Sequence, residues 1–399
     1  MSPNLLSVVF FPKIRYIFHF LSLFFFVLAF TKTVKNKINN QKIDNWIKIF
    51  IGGVFIYLVG KITNAIFWGG RLSFSTTLSR IVVFSVLFFT ILYSNDKTIK
   101  KCMNLYSNIL VIFSILGIIL FFLIIGGWQP IVISTIYGRD YNNYLLGLSV
   151  IEGFITLNAY RVQSFYDEPG TFAMALLPGI FWLTIANFNF KKCFILITGL
   201  FMTFSVGGWS ALIICLVILI FNISSMRNIV YKNSIKILLL TFLSILLIFF
   251  IINNTFQNIT ISELASWITY YINDKYYNDQ RLNQIPFVIN LLIKNPQGPP
   301  IQIYYKDITA GIFVSFLEGG WIGIIGYCLI FMALLRMIFF VVKEYQKYQQ
   351  SQLIALALSV VSLIIMSFQR GELLTFYYSI FIVGFFVNSY INYRRKNIN

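Results

Sequence analysis

Long apolar runs alternate with short polar, lysine-rich stretches along most of the chain. A helix rises about 1.5 Å per residue, so roughly 20 apolar residues cross the hydrocarbon core of a bilayer. By that measure the sequence predicts spans at 14–31, 46–66, 76–94, 105–125, 170–188, 193–206, 209–222, 235–252, 311–335, 352–368 and 373–392. That is about 11 transmembrane helices (10–12) in one polytopic, all-α membrane domain over 1–399. The runs 193–206 and 209–222 are short, meet at Val206-Gly207-Gly208-Trp209, and predict a tight or partly re-entrant hairpin. The run Leu5–Phe11, interrupted by Pro12, Lys13 and Arg15, reads either as an interfacial helix or as part of a further span. A cleavable signal peptide is not expected, because lysines follow the first apolar stretch and no small-residue cleavage site is evident.

Two long polar stretches remain, 126–169 and 253–310. Within the second, Leu282, Ile285, Val288/Ile289 and Leu292 recur at helical steps. They predict an amphipathic helix near 281–294, too short to span and expected to lie at the membrane interface with Arg281 near its start.

Composition agrees with a bilayer solvent: 58% of residues are apolar and only 11% charged, against about 25% charged in an average soluble domain. A net charge of +18 would suggest nucleic acid in a soluble chain, but here the basic residues sort by loop, so no nucleic-acid partner is expected. Lys32 to Lys48, Lys97 to Lys101, Lys191 and Lys192, Arg227 to Lys236, Arg336 to Lys347 and Arg394 to Lys396 fall in one alternate set of loops. The positive-inside rule makes that set, and the C-terminus, cytoplasmic and turns the two long loops toward the periplasm or exterior. The outer set carries Arg71, Arg80, Arg139, Arg161, Arg281 and Arg370 against Lys275, Lys294 and Lys306. Topology needs positive charge of either kind, whereas two-pronged binding of phosphate oxygens favours guanidinium. Cys102, Cys193, Cys215 and Cys328 lie away from the long outer loops. One histidine, His19, is too few for a histidine-based zinc site, and no metal or cofactor is expected. The inner parts of the spans read as nearly free of charge.

The densest chemistry is Tyr160-Arg161-Val162-Gln163-Ser164-Phe165-Tyr166-Asp167-Glu168-Pro169-Gly170, running into the span that begins near Thr171. Asp167 and Glu168 stand where acidic residues cap a helix N-terminus, and equally where a carboxylate can take a proton from an attacking hydroxyl. Arg281 has two readings, phosphate recognition or contact with lipid headgroups. Arg370, in Gln369-Arg370-Gly371-Glu372, has the alternative of a local pair with Glu372. Tyr160, Phe165, Tyr166, Tyr304 and Tyr305 suit sugar stacking, although anchoring at the interface is the commoner use of such rings.

An Arg, a Ser, an aromatic and Glu-Pro-Gly leading into a span, together with Glu318-Gly319-Gly320-Trp321-Ile322-Gly323-Ile324-Ile325-Gly326 after the second loop, resemble the polysaccharide polymerase and O-antigen ligase superfamily. The likeness is to its Wzy-type O-antigen or capsule repeat-unit polymerases. Ligase members carry a histidine in the second large loop, and residues 253–310 have none. The resemblance implies metal-independent glycosyl transfer at the outer face of the bacterial inner membrane, on undecaprenyl-pyrophosphate-linked oligosaccharide. It also implies membrane lipids and a chain-length regulator protein as partners. Under it Arg161, Arg281, Arg370, Arg139 and Tyr166 become substrate-binding residues. Glu168, then Asp167, become the catalytic base, with Glu318 and Glu372 less favoured. Ligase-type transfer, or transport of a lipid-linked sugar, are the alternatives; spans free of charge argue against transport.

Overall fold

The structure, a computed structural model, describes residues 44–68, 71–125, 131–136, 139–145, 148–154, 159–164, 169–222, 284–300, 311–348, 350–368, 373 and 377–398. The expected spans 14–31 and 235–252 lie outside these residues, as does His19. The helices are α1 (Asn45–Trp68), α2 (Arg71–Tyr93), α3 (Asp96–Ile125), α4 (Pro169–Phe181), α5 (Phe190–Met202), α6 (Val206–Asn222), α7 (Gln284–Lys294), α8 (Gly311–Tyr348), α9 (Ser351–Ser367) and α10 (Tyr377–Ile398). Nine of them coincide with predicted spans, and α7 falls on the amphipathic run. Asn45–Trp68, Asp96–Ile124, Pro169–Ala186 and Ile312–Glu344 are each long and apolar enough to cross a membrane. Several shorter helices, including Val206–Leu219 and Ser351–Ser367, are also apolar.

Between α3 and α4 the described stretch is not helical. It holds an antiparallel meander, β1 (Ile131–Ile136), β2 (Arg139–Leu145), β3 (Leu148–Phe154) and β4 (Ala159–Ser164), in the order β1-β2-β3-β4. The helical body therefore carries a small sheet in its first large loop. Register shifts interrupt all three pairings. Such bulges break the strict apolar–polar alternation by which strands are recognised in a sequence.

α4 is the central helix, with every residue from Pro169 to Phe181 buried. It packs with α3, α5, α6 and α9, and it ends in a π-helical turn, Trp182–Ala186. Polar residues on α3 tie down the turn that follows: Asn104 Oδ1 accepts from Trp182 Nε1 at 2.7 Å and from Asn187 Nδ2 at 3.0 Å. One helical turn further along, Asn108 Oδ1 accepts from Lys192 Nζ at 2.7 Å.

α1 and α8 form the closest helix pair, and glycine makes it possible. A Cβ on Gly60 would come within 2.5 Å of Gly319 O and 2.6 Å of Gly323 N. A Cβ on Gly53 would meet Gly326 O at 2.9 Å. Lipid tails are as apolar as leucine, so helices in a bilayer gain by bringing backbones close, which small residues permit. The glycine-rich run 319–326 thus has a packing explanation that stands apart from any family likeness.

At one end of the bundle, Asp44 joins α1 to α10: Tyr390 donates to its Oδ2 at 2.5 Å and Arg394 Nε pairs with it at 3.3 Å. Arg336 lies over the Trp46 ring and Arg394 over Phe340. Residues assigned to the cytoplasmic loops by charge therefore meet at a common end. The short hairpin is also present, with its turn at Thr203–Ser205 rather than at Val206–Trp209. Ser205 caps α6, its Oγ accepting from Gly208 N–H at 3.3 Å.

Candidate functional site

Strand β4 is the part of the sheet that enters the helical body. Val162 and Ser164 are fully buried, and Ser164 Oγ donates to Phe113 O of α3 at 3.1 Å. A Cβ on Gly117 would reach 2.6 Å from Val162, so the strand lies directly on the α3 backbone. Gly117 is eight residues before the end of α3 at Ile125, a depth of about 12 Å along the helix axis. The polar backbone of a strand at such depth has to find partners inside the protein.

Arg161 supplies part of that matching. Its Nε donates to Thr203 O at 3.0 Å and its Nη2 to Phe204 O at 3.2 Å. Both acceptors belong to the α5–α6 turn, whose Phe204 has a positive φ of 47°. α5 is 13 residues long, about 20 Å, which is too short for the hydrocarbon core of roughly 30 Å. Its C-terminal carbonyls end inside the body, and a guanidinium meets them there. Arg161 is thus partly buried and holds strand, turn and helix end together. Ser164 and Pro169, the described residues flanking 165–168, are both buried.

The remaining expected site residues are placed unevenly. Arg139 lies on β2 opposite Ile136, in the same sheet as Arg161 with β3 between them; its backbone alone is described. Tyr166, Asp167, Glu168, Arg281 and Arg370 fall outside the described residues. α7 begins three residues after Arg281; Gln284, Val288 and Leu292 are buried, and Val288 and Leu292 pack with Leu317 of α8. Ile285 and Ile289, on the apolar face expected to lie at the membrane interface, are 40% and 46% exposed.

A second polar cluster lies within the helices, which corrects the expectation of nearly uncharged spans. Glu318 Oε2 pairs with Lys61 Nζ and accepts from Arg80 Nη2 at 3.2 Å, and all three side chains are buried. Arg80, counted from sequence among the outer-loop arginines, is nine residues into α2 and committed to this pair. Thr77 adds a link by donating to Lys61 O at 3.4 Å. Each member had a legible signal, since a charge within an apolar span marks a functional or pairing site. Spacing could not show that the charges meet, since Lys61 and Glu318 stand 257 positions apart.

Beside this triad, α8 is broken at Gly320, where φ is 60° and ψ is −160°. The segment 295–300 docks into the break. Trp321 N–H donates to Pro296 O at 3.0 Å, Asn64 Nδ2 to Gln297 O at 3.2 Å, and Trp68 Nε1 to Gly298 O at 2.6 Å. Among the described residues no group of three His, Cys, Asp or Glu side chains is arranged to hold a metal ion. No protein-family model, curated protein or solved structure matches the chain.

Proposed function

We propose that this chain polymerises undecaprenyl-pyrophosphate-linked oligosaccharide repeat units at the outer face of the bacterial plasma membrane. The observation that carries the reading is the position of β4. It sets Val162 against Gly117, about 12 Å along α3 from its end, and the neighbouring Arg161 guanidinium against the α5–α6 turn, on the strand that leads in sequence through Asp167 and Glu168 to the wholly buried α4. A departing diphosphate develops negative charge, and preorganised donors at that point lower the barrier most. The sequence pattern around Arg161, the lysine-rich loops on one side and the arginines on the other support the same assignment.

In this reading a hydroxyl at the non-reducing end of a single lipid-linked repeat attacks the anomeric carbon of the growing chain. Its proton passes to Glu168 or Asp167 as the new glycosidic bond forms. The anomeric carbon–oxygen bond to pyrophosphate breaks, and undecaprenyl pyrophosphate leaves with its charge matched by Arg161 and Arg281. Arg370, Arg139 and Tyr166 contact the glycan or phosphates. No step requires a metal, a chain-length regulator is the expected partner, and the C-terminus is cytoplasmic.

One observation favours a second reading. A helix broken inside the body beside buried charges is the arrangement by which transporters build their sites, and α8 with Lys61, Arg80 and Glu318 has it. Transport of a lipid-linked sugar is the competing function.

Glycan profiles of a deletion strain separate the two. Loss of a polymerase leaves surface glycan stopped at one repeat unit, whereas loss of a transporter traps single units on the cytoplasmic side. Long chains stranded on the lipid carrier would indicate ligase-type transfer instead.

A further inference from the structure

We propose that Lys61, Arg80 and Glu318 are positioning residues that fix the end of the second large loop, and with it α7, on the helical body. Resting on the polymerase reading, this makes the triad a determinant of how the loop carrying Arg281 meets the lipid-linked substrate. Glu318 stands two residues before the break at Gly320, on the last turn of the first piece of α8. Its carboxylate is held by Lys61 of α1 and Arg80 of α2, so three helices determine where the break lies.

The break and the docked segment fit each other closely. Gly298 has φ 95° and Gly320 φ 60°, conformations that glycine adopts without penalty. A Cβ on Gly298 would come within 2.5 Å of Asn64 Nδ2 and 3.1 Å of Gly320 N. One on Gly320 would come within 2.5 Å of Pro296 O and 2.7 Å of Gly298 N. The carbonyls of Pro296, Gln297 and Gly298 each receive a donor from α8 or α1. Irregular backbone at membrane depth persists only where the protein supplies such partners. Asn64 and Trp68, which supply two of them, follow Lys61 by roughly one and two helical turns. Fixing Lys61 against Glu318 therefore aligns donors on α1 with a break on α8. Asn295 N–H donates to Leu291 O, so the docked segment continues directly from α7.

Stability alone does not explain the triad. Burying ions costs several kcal/mol for each, and apolar replacements of similar volume are often as stable. Charges retained in that setting are suited to specifying a geometry.

The test is charge exchange followed by hydrogen exchange in the full-length protein, in detergent or nanodiscs. Glu318→Gln is expected to raise amide exchange at Asn295, Gly298 and Trp321 by about ten-fold while 330–341 in the same helix keeps its protection. Lys61→Glu and Glu318→Lys should each do the same, and the double exchange should restore protection. In extension assays, Glu318→Gln should raise KM for the lipid-linked repeat by roughly ten-fold and change kcat less than three-fold. Unchanged exchange at 295–298 in Glu318→Gln, or a double variant no better than the singles, overturns the proposal. The exchange readout does not depend on catalysis: restored protection in a protein that never extends glycan would sink the polymerase reading and leave the positioning role standing.

Discussion

Arg161 joins two demands in one side chain. Its guanidinium satisfies the carbonyls of Thr203 and Phe204 where α5 ends inside the body, and the polymerase reading also asks it to face a diphosphate. Leaving buried carbonyls unmatched costs about 1–3 kcal/mol for each. Arg161→Ala is therefore expected both to lower thermal stability in detergent and to stop surface glycan at one repeat unit. Arg161→Lys keeps the charge but loses the planar fork, and is expected to insert normally while losing most extension. A wild-type glycan ladder from Arg161→Ala would remove Arg161 from the site. Legibility differs sharply between residues here. The Tyr160–Gly170 segment is conspicuous in the sequence because its polar groups adjoin a span. The partners of Arg161 lie 42 and 43 positions away in an apolar hairpin, where nothing in the local pattern marks them. Lys61 and Glu318 are visible as charges in apolar runs, yet their meeting depends on α1 packing against α8.

Among the elements, glycine spacing decides the tightest packing. Gly60→Ala is expected to destabilise the protein by about 1–3 kcal/mol, because its Cβ would press on the α8 backbone and neither helix can yield cheaply. Gly52→Ala is the matched control. Nothing lies within 4 Å of a Cβ there, so the change should be neutral or stabilising by roughly 0.5–1 kcal/mol. Thermal melts of the two variants in the same detergent check the pair, and equal melting temperatures would refute the packing explanation. Helix positions were readable because apolar runs of this length leave few other solutions in a bilayer. The sheet was not: β2, Arg-Asp-Tyr-Asn-Asn-Tyr-Leu, is mostly polar, and the pairings around it are bulged. α7 has apolar residues on more than one side, and nothing in its own pattern shows that Val288 and Leu292 pack with Leu317 of α8 while Ile285 and Ile289 stay exposed.

For the molecule as a whole, the charge pattern and the packing agree on which residues share an end. Asp44, Arg336, Tyr390 and Arg394 converge, and the proposed topology, argued from the positive-inside rule, puts that end in the cytoplasm. Cys102, exposed near the start of α3, should then react in intact cells with a membrane-permeant maleimide but not with an impermeant one. An Arg139→Cys variant should react with both. Labelling of Cys102 by the impermeant reagent would invert the topology and take the sheet out of contact with outer-leaflet substrates.

The central claim is that guanidinium groups held at the outer face, without a metal, promote departure of a lipid diphosphate as two glycans join. Its most direct test is extension of a defined undecaprenyl-pyrophosphate-linked repeat by the purified protein in liposomes, with a chelator present throughout. The expected result is a ladder of lengthening glycan with release of undecaprenyl pyrophosphate, abolished in Arg161→Ala and Arg281→Ala. No ladder from wild-type protein, or one that forms only when divalent metal is restored, would contradict it.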